Sequence, residues 1–409
     1  MANAYTLPTR FSALDGWRGI CALLVAIYHF PTVSHIGSWG VVKHAYLFVD
    51  FFFVLSGFVI TYAYWDRLGS WQAAGWMLWR RLGRLWPLHV ALLAAFVALE
   101  VGLALGAGVV GLPRSASGAF DPGSTSLLSA IPTNLLLLHG LGIHDRLTWN
   151  LPSWSISAEA WTYALFAALV VITRRRTVIA AGVIALAAWG VIAAFSPRYI
   201  GVDYDMGFLR CIAGFLAGHL VYLGVSSRPC AMRAPTLCEL LVVGAIWGFV
   251  AFAGHTPLEL AAPLVFALAV WVFAHEAGGV SRVLKSEPLA TLGLVSYSIY
   301  MVHALLIVVV HRTLSVIERN IGIKLSDRAG SGGASEVVVS LGGPWATDAA
   351  VVVYAALVVG FAMWTWRVIE MPCQRYWNSR LTAVGQQSDG RANGRAGEAG
   401  GPRGIRAVS

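Results

Sequence analysis

Residues 10–30 read RFSALDGWRGICALLVAIYHF, an apolar stretch that nevertheless carries Asp15, Arg18 and His29. An ionisable side chain at membrane depth costs about 3 kcal/mol or more, so it usually faces a protein interior or a water-filled cavity. His29 follows Arg18 by eleven residues, which on a helix is about three turns, so both side chains lie on nearly the same face. The stretch predicts a membrane helix with a functional polar face, although a hydrogen bond to another helix would also explain His29.

The composition is that of a protein that crosses a membrane many times. Of the 409 residues, 57% are hydrophobic and 12% are charged, and the mean hydropathy of +0.68 is higher than that of soluble domains. We therefore predict an all-α polytopic integral membrane protein with about ten transmembrane helices and a buried polar tunnel. The ten predicted spans are Ile20–Val33, Tyr46–Trp65, Leu88–Val110, Trp154–Thr173, Val178–Phe195, Met206–Val225, Leu237–Ala253, Leu258–Ala274, Leu289–His311 and Ala349–Ile369.

The distribution of arginines predicts the orientation of these spans. With the N-terminus in the cytoplasm, most arginine clusters fall on the cytoplasmic side of the inner membrane, and the C-terminus is cytoplasmic as well. This arrangement requires Leu127–Leu141, a stretch broken by Pro132, to stay outside or to re-enter without spanning. The loop 312–343 departs from the pattern, because it puts four basic residues on the external side.

Charge and cysteine content exclude several classes of function. The formal net charge of +9 lies in loops beside the membrane and in the tail, which indicates contact with membrane lipids rather than with nucleic acid. The five cysteines are scattered without metal-ligand spacing, so we predict neither a disulfide framework nor a metal site. Residues 11–377 are predicted to form the transmembrane domain, and residues 385–409 a disordered cytoplasmic tail.

A second informative element follows the second span. Trp71–Trp86 reads as an amphipathic interfacial helix, and Arg80, Arg81 and Arg84 lie on its polar side. Arg81 and Arg84 form an R-x-x-R pair, and two guanidinium groups one turn apart can hold a phosphate or pyrophosphate from two sides. Taken alone, such a cluster also fits an interaction with anionic lipid.

Several further motifs occur along the chain in a fixed order. They are LDGWRG from Leu14, VDFFFVLSGFVI at 49–60, R-x-x-R, SWSISAEAWTY at 153–163, SYSIYMVH at 296–303 and IEMP at 369–372. Together they resemble the membrane acyltransferase 3 family, and the resemblance runs from about Phe11 to Trp377.

The resemblance implies a ten-span membrane enzyme that moves an acyl group, often acetyl, from cytoplasmic acyl-CoA to a hydroxyl group. The acceptor would be a carbohydrate, a cell-envelope glycan or a small molecule. By the resemblance, His29 of the R-x10-H motif is the catalytic group and Arg18 is its partner. Arg81 and Arg84 would hold the acyl-CoA donor, with Arg80 beside them.

The chemistry of acyl transfer agrees with these roles. The attacking alcohol must lose a proton, and a neutral histidine such as His29 suits that task. A carboxylate, Glu159 or Asp50, would orient the ring if it lay nearby. The remaining residues predicted to line the substrate pocket are Asp15, Ser56, Tyr297 and His303. Two alternatives stay open: a small-molecule acceptor such as a glycosylated macrolide, and a transporter without catalytic activity.

Overall fold

The structure, a computed structural model, describes residue 8 and residues 10–110, 126–227, 232–329 and 336–380. These residues are mostly helical, and the predicted tail at 385–409 lies outside them. The helices are α1 (Ser12–Tyr28), α2 (His35–Ser38), α3 (Gly40–Lys43), α4 (Phe48–Tyr64), α5 (Trp71–Val110), α6 (Ile131–Leu135), α7 (Ser153–Thr173), α8 (Thr177–Phe195), α9 (Gly207–Ser227), α10 (Pro235–Ala253), α11 (Ala262–Phe273), α12 (Gly279–Leu284), α13 (Glu287–Leu294), α14 (Ser296–Ile321) and α15 (Pro344–Thr365). Short 3-10 turns occupy Ala45–Leu47, Trp65–Arg67, Leu128–Ala130, Arg174–Arg176 and Pro257–Ala261, and a π turn occupies Trp366–Glu370.

The helices confirm an all-α fold suited to a multi-pass membrane protein. In the described part of the chain, eight helices are long and apolar enough to cross a membrane. The first and eighth predicted spans correspond to shorter helices, α1 with 17 residues and the apolar segment Pro257–Phe273. The stretch Leu127–Leu141 contains short helical turns rather than a spanning helix, as predicted.

Two predicted boundaries were wrong. The first span was expected at Ile20–Val33, but α1 runs from Ser12 to Tyr28, and His29 is its C-cap residue. Trp71–Trp86 was expected to be a separate interfacial helix, whereas α5 continues through Pro87 to Val110. Proline removes one backbone hydrogen bond from a helix but fits the helical φ, and the apolar residues that follow continue the helix.

Helices α4 and α9 are in contact at the level of their backbones. A Cβ atom added at Gly57 of α4 would overlap the carbonyl oxygen of Phe215, and one at Gly218 of α9 would overlap that of Val54. Small residues allow such close approach, which gains packing energy where lipid provides no hydrophobic driving force. This contact fixes the helix that carries Ser56 against the helix that carries Arg210.

The short helices α12 and α13 contact the backbone of α1 in a similar way. Added Cβ atoms at Gly16 and Gly19 would overlap backbone atoms of Leu284 and Gly293, in α12 and α13. At its other end, the chain after α1 pairs with the hairpin of β1 (Ser326–Ala329) and β2 (Glu336–Val339). The N–H of Val339 donates to the Pro31 carbonyl over 2.9 Å, so both ends of α1 are anchored by backbone contacts.

We expect the substitution Gly218→Ala to destabilise the protein, because the added methyl group overlaps the backbone of α4. Overpacking of this kind costs about 1–3 kcal/mol, which would appear as a lower melting temperature of the purified protein in detergent. Gly190→Ala in α8 is the matched control, since no atom lies within 4 Å of its added Cβ. Equal melting temperatures for the two variants would contradict the close contact between Gly218 and the backbone of α4.

Candidate functional site

Four cavities adjoin one another through the described part of the bundle. The arginine chamber has about 780 Å³ of empty space, mouth included, and is lined by Arg18, Arg81, Arg84, Glu159 and Tyr297 among others. The vestibule lies beside it and is lined by Arg80, Arg81, Arg84, Tyr64, Trp377 and neighbours. The histidine chamber, of about 1900 Å³ with its mouth, is lined by His29, His303, His311, Glu100 and others. The side chamber is lined by His29, Tyr46, Arg198, Arg210, Tyr300 and others.

Shared wall residues connect these cavities in series. Arg81 and Arg84 border both the vestibule and the arginine chamber. Val49 and Tyr300 border both the arginine chamber and the side chamber, and His29 borders both the side chamber and the histidine chamber. The cavities therefore adjoin one another in a row, with the arginines at one end and His29 between the last two.

Arg18 faces the arginine chamber and is held by two hydrogen bonds. Its Nη1 donates to Asp15 over 3.1 Å, and its Nη2 donates to the Ser296 hydroxyl over 3.0 Å. Asp15 in turn forms an ion pair with Arg10 at 2.9 Å. The structure thus places Asp15 as the partner that positions Arg18, while Arg18 itself reaches the cavity wall.

The R-x-x-R pair lies at the junction of the vestibule and the arginine chamber. Gly83, between the two arginines, packs against Trp377, and an added Cβ there would overlap its ring. The guanidinium of Arg81 lies 5.2 Å from the centre of the Tyr64 ring, a cation–π contact. Arg84 lines both cavities, and the carboxylate of Glu370 interacts with it electrostatically.

Glu159 also borders the arginine chamber, but not beside His29. Its carboxylate accepts hydrogen bonds from the hydroxyl groups of Ser56 and Tyr163, and these two hydroxyls lie 3.0 Å apart. The predicted pairing of Glu159 with His29 is therefore not observed. Tyr297 lines the same chamber and donates to the Leu85 carbonyl over 2.5 Å.

His29 has one ring nitrogen occupied and one free. Its Nδ1 lies 2.9 Å from the carbonyl oxygen of Val25. A carbonyl accepts but never donates, so Nδ1 carries the proton, and Nε2 of the neutral ring holds an exposed lone pair. The ring of His303 lies 5.0 Å from that of His29, centre to centre, so the structure brings these two predicted site residues together.

Asp50 is not on a cavity wall, and its predicted role in the substrate pocket is corrected. Its side chain is fully buried and pairs with Arg210, whose Nη2 donates to it over 2.7 Å. Arg210 also donates to the carbonyl groups of Val202 and Tyr46. A buried charge needs such a partner, so Asp50 anchors Arg210 at the edge of the side chamber and does not orient His29.

Arg198 sits at the rim of the side chamber, outside the spans, and forms ion pairs with Asp203 at 3.3 Å and Asp205 at 2.9 Å. Burial raises the pKa of the Asp205 carboxyl, but hydrogen bonds from the Met206 backbone and from Arg198 outweigh it and lower the pKa overall. The Asp205 carboxyl is therefore ionised at neutral pH beside the Arg198 guanidinium.

The sequence interpretation missed several residues of the site. Arg210 was detectable, because a charged residue inside an apolar run signals pairing or a cavity. Tyr163 and Ser296 lie within the motifs at 153–163 and 296–303, but no local sequence feature distinguishes them from the neighbouring residues that carry hydroxyl groups. Tyr300 separates two chambers only through the packing of α14 against α4 and α7, which spacing along the chain does not reveal.

Comparison with known proteins gives two matches. A family model described as an acyltransferase domain matches residues 11–367. A protein described as "Protein 2 in picA locus", from Rhizobium radiobacter, is 35% identical over 167 residues, which is 39% of this chain and 82% of that protein. No solved structure matches the chain.

We expect Asp50→Asn to destabilise the fold strongly, because it leaves the buried Arg210 charge without its counter-charge. Breaking a buried pair from one side costs about 3–5 kcal/mol, whereas removing both charges is often close to neutral. Unfolding of the purified protein in detergent should therefore show a large loss for Asp50→Asn and recovery in the double variant Asp50→Asn/Arg210→Gln. The half-exposed pair Arg198–Asp205 provides the control, at about 0.2–1 kcal/mol for Asp205→Asn.

Proposed function

The chain belongs to the acyltransferase family whose model spans residues 11–367, and we propose that it moves an acetyl group from cytoplasmic acyl-CoA to a carbohydrate hydroxyl. It is thus a multi-pass membrane acyltransferase rather than the transporter that the number of spans alone would allow. We further propose that it acts in the inner membrane with both termini in the cytoplasm, since the arginine distribution favours this orientation.

The observation that carries the proposal is the free Nε2 of His29 in a cavity. Nδ1 is held by the Val25 carbonyl, and His29 borders both the histidine chamber and the side chamber, where an acceptor hydroxyl could reach its other nitrogen. A general base must lie within hydrogen-bond distance of the proton it takes. The ring is oriented by a backbone carbonyl, so no carboxylate is needed to fix its tautomer.

The arginine chamber supports binding of acyl-CoA, whose nucleotide end is anionic. Arg18, Arg81 and Arg84 border this cavity together with one carboxylate, Glu159, so the wall carries an excess of positive charge. Arginine forks recognise phosphate in a bidentate way, and the vestibule adds Arg80 at its edge. The phosphates would bind at the arginines while the pantetheine arm carries the thioester past Val49 and Tyr300 toward His29.

The side chamber supports a polyhydroxylated acceptor. Its wall combines aromatic rings with charged groups, and Tyr46, Trp154, Arg198, Asp203 and His255 are among its residues. Such a lining offers flat apolar faces and hydrogen-bond partners for a sugar. The same lining also fits a glycosylated small molecule, which we retain as the alternative acceptor.

The proposed reaction is a direct transfer. The acceptor oxygen attacks the thioester carbon while its proton passes to Nε2 of His29, and the C–S bond then breaks to release CoA. Ser56, Ser155, Ser157 and Ser298 could otherwise carry the acyl group, but each already donates to a protein acceptor. Labelled acyl groups bound covalently to the protein would overturn the direct route.

We expect His29→Gln to abolish transfer of label from radiolabelled acetyl-CoA to the envelope glycan fraction, because the amide cannot accept the proton. General-base catalysis contributes about 10²–10⁴-fold, and the KM for acetyl-CoA should stay close to that of the wild type. Arg84→Ala should instead raise this KM at least about tenfold, since a charge-assisted bond to phosphate is lost. Membranes with matched expression levels serve for the comparison.

Arg282→Ala is the control for charge, because this exposed arginine is not among the residues that line the four cavities. If His29→Gln transfers acetyl at the rate of the wild type, the base assignment is wrong. If Arg84→Ala and Arg282→Ala have the same KM, the donor does not bind at the R-x-x-R pair.

A third substitution tests the path between the chambers. Val49 is buried and borders both the arginine chamber and the side chamber, so Val49→Phe should narrow the passage without changing charge. We expect kcat to fall while binding of CoA, followed by calorimetry, stays unchanged. Val183→Phe adds the same bulk at an exposed position of α8. Unchanged kcat in Val49→Phe would show that the acyl group takes another path.

A further inference from the structure

His303 is enclosed in an unusual way for a polar side chain. It lies in α14, is fully buried, and forms part of the wall of the histidine chamber. Neither of its ring nitrogens makes a hydrogen bond of normal geometry, although the ring has weak contacts with the backbone carbonyl groups of Ile299 and Tyr300. Its closest aromatic neighbours are His29, at 5.0 Å between ring centres, and Tyr300, at 5.8 Å.

The other buried histidines that the structure describes are satisfied at one nitrogen. His89 bonds to the Asn134 carbonyl, His139 to Ser153, His219 to Thr61 and His275 to the Trp271 carbonyl. His303 therefore differs from them in having no hydrogen bond of normal geometry at either ring nitrogen. Buried polar groups without partners are rare in proteins and mark functional or strained positions.

The unused nitrogens have an energetic cost. No carboxylate contacts His303 within the described part of the chain, and an unpaired charge in such a site is expensive, so the ring is neutral. A neutral imidazole carries one N–H in either tautomer, and leaving that donor unsatisfied costs about 1–3 kcal/mol. A substrate oxygen that accepts this hydrogen bond would recover the cost.

We propose that His303 is a second catalytic residue, whose N–H donates a hydrogen bond to the carbonyl oxygen of the acyl group while His29 removes the proton of the acceptor. The proposal rests on the proposed function and extends it. In the attack, the C–O bond forms, the hydroxyl proton moves to Nε2 of His29, and the carbonyl electron pair moves onto the oxygen held by His303. When the carbonyl re-forms, the C–S bond breaks and the thiolate takes the proton from His29.

The arrangement of the two rings suits this division of roles. The attacking oxygen and the carbonyl oxygen are bonded to the same carbon in the intermediate, so the base and the donor must lie within a few ångströms of each other. The separation of 5.0 Å between the ring centres meets this condition. A donor shielded from water also stabilises developing charge more strongly than one in solvent.

Two substitutions of His303 separate hydrogen-bond donation from packing. His303→Phe keeps a ring of similar size without a donor, and His303→Gln provides an amide N–H that does not titrate. We expect His303→Phe to lower kcat for acetyl transfer by about 10²–10³-fold, the usual effect of losing such a donor. His303→Gln should recover at least about tenfold of this loss. In both variants the KM for acetyl-CoA and the melting temperature should be those of the wild type.

His219→Phe is the matched control, because His219 is also a buried histidine but is not among the residues that line the four cavities. It should retain the kcat of the wild type. The pH profile gives a second readout: residual activity of His303→Phe should keep the wild-type dependence on pH, since His29 remains the base.

Full activity of His303→Phe would overturn the proposal, as would a folded His303→Gln that is no more active than His303→Phe. A shifted pH profile in His303→Phe would also overturn it, because His303 would then be the titrating group. The failure of the proposed function looks different, since the wild type itself would transfer no label or His29→Gln would retain activity.

Discussion

The cost of placing a charged or polar side chain among apolar helices is the constraint on which this structure depends. Some of these side chains are satisfied inside the protein: Asp50 pairs with Arg210, and Glu239 accepts hydrogen bonds from the backbone of Gly278 and Ser281. Others border cavities, whether or not they also have a protein partner: Arg18, Arg81, Arg84, His29 and Glu159. Burial without a partner would cost several kcal/mol for each charge. Pairing thus serves stability, and exposure to a cavity marks the groups that are available for chemistry.

The two ends of the row of cavities differ in the kind of ligand group they suit. Guanidinium groups dominate one end, where a polyanion can be held by charge. The other end combines imidazole and aromatic rings with side chains of both charges, among them Glu100, Arg198 and Arg312. In the proposed reaction, acyl-CoA therefore contacts both ends at once, with its phosphates at the arginines and its thioester near His29. Val49 and Tyr300 border the cavities on both sides of this division.

The sequence predicts the helices well because apolar runs are local features. It also predicts the polar face of the first span, since Arg18 and His29 are related by helical spacing alone. Pairings between distant segments are different, because Asp50 with Arg210 and Glu159 with Ser56 depend on how the helices pack. The sequence placed Glu159 and Asp50 as alternative partners of His29, whereas a backbone carbonyl takes that position. Periodicity shows which side chains need a partner, but it does not show which partner they find.

The position of Pro87 within α5 has a mechanical consequence. Proline has no N–H to donate to the carbonyl four residues earlier, and that carbonyl belongs to Gly83, which lies between Arg81 and Arg84. The longest helix of the described chain is therefore one hydrogen bond weaker at the turn that carries the R-x-x-R pair, and bending is concentrated at such points. A small change of angle at this turn would swing both guanidinium groups through an arc while the rest of the helix stays packed. The arginines thus lie at a turn of α5 where proline leaves one carbonyl group without its helical donor.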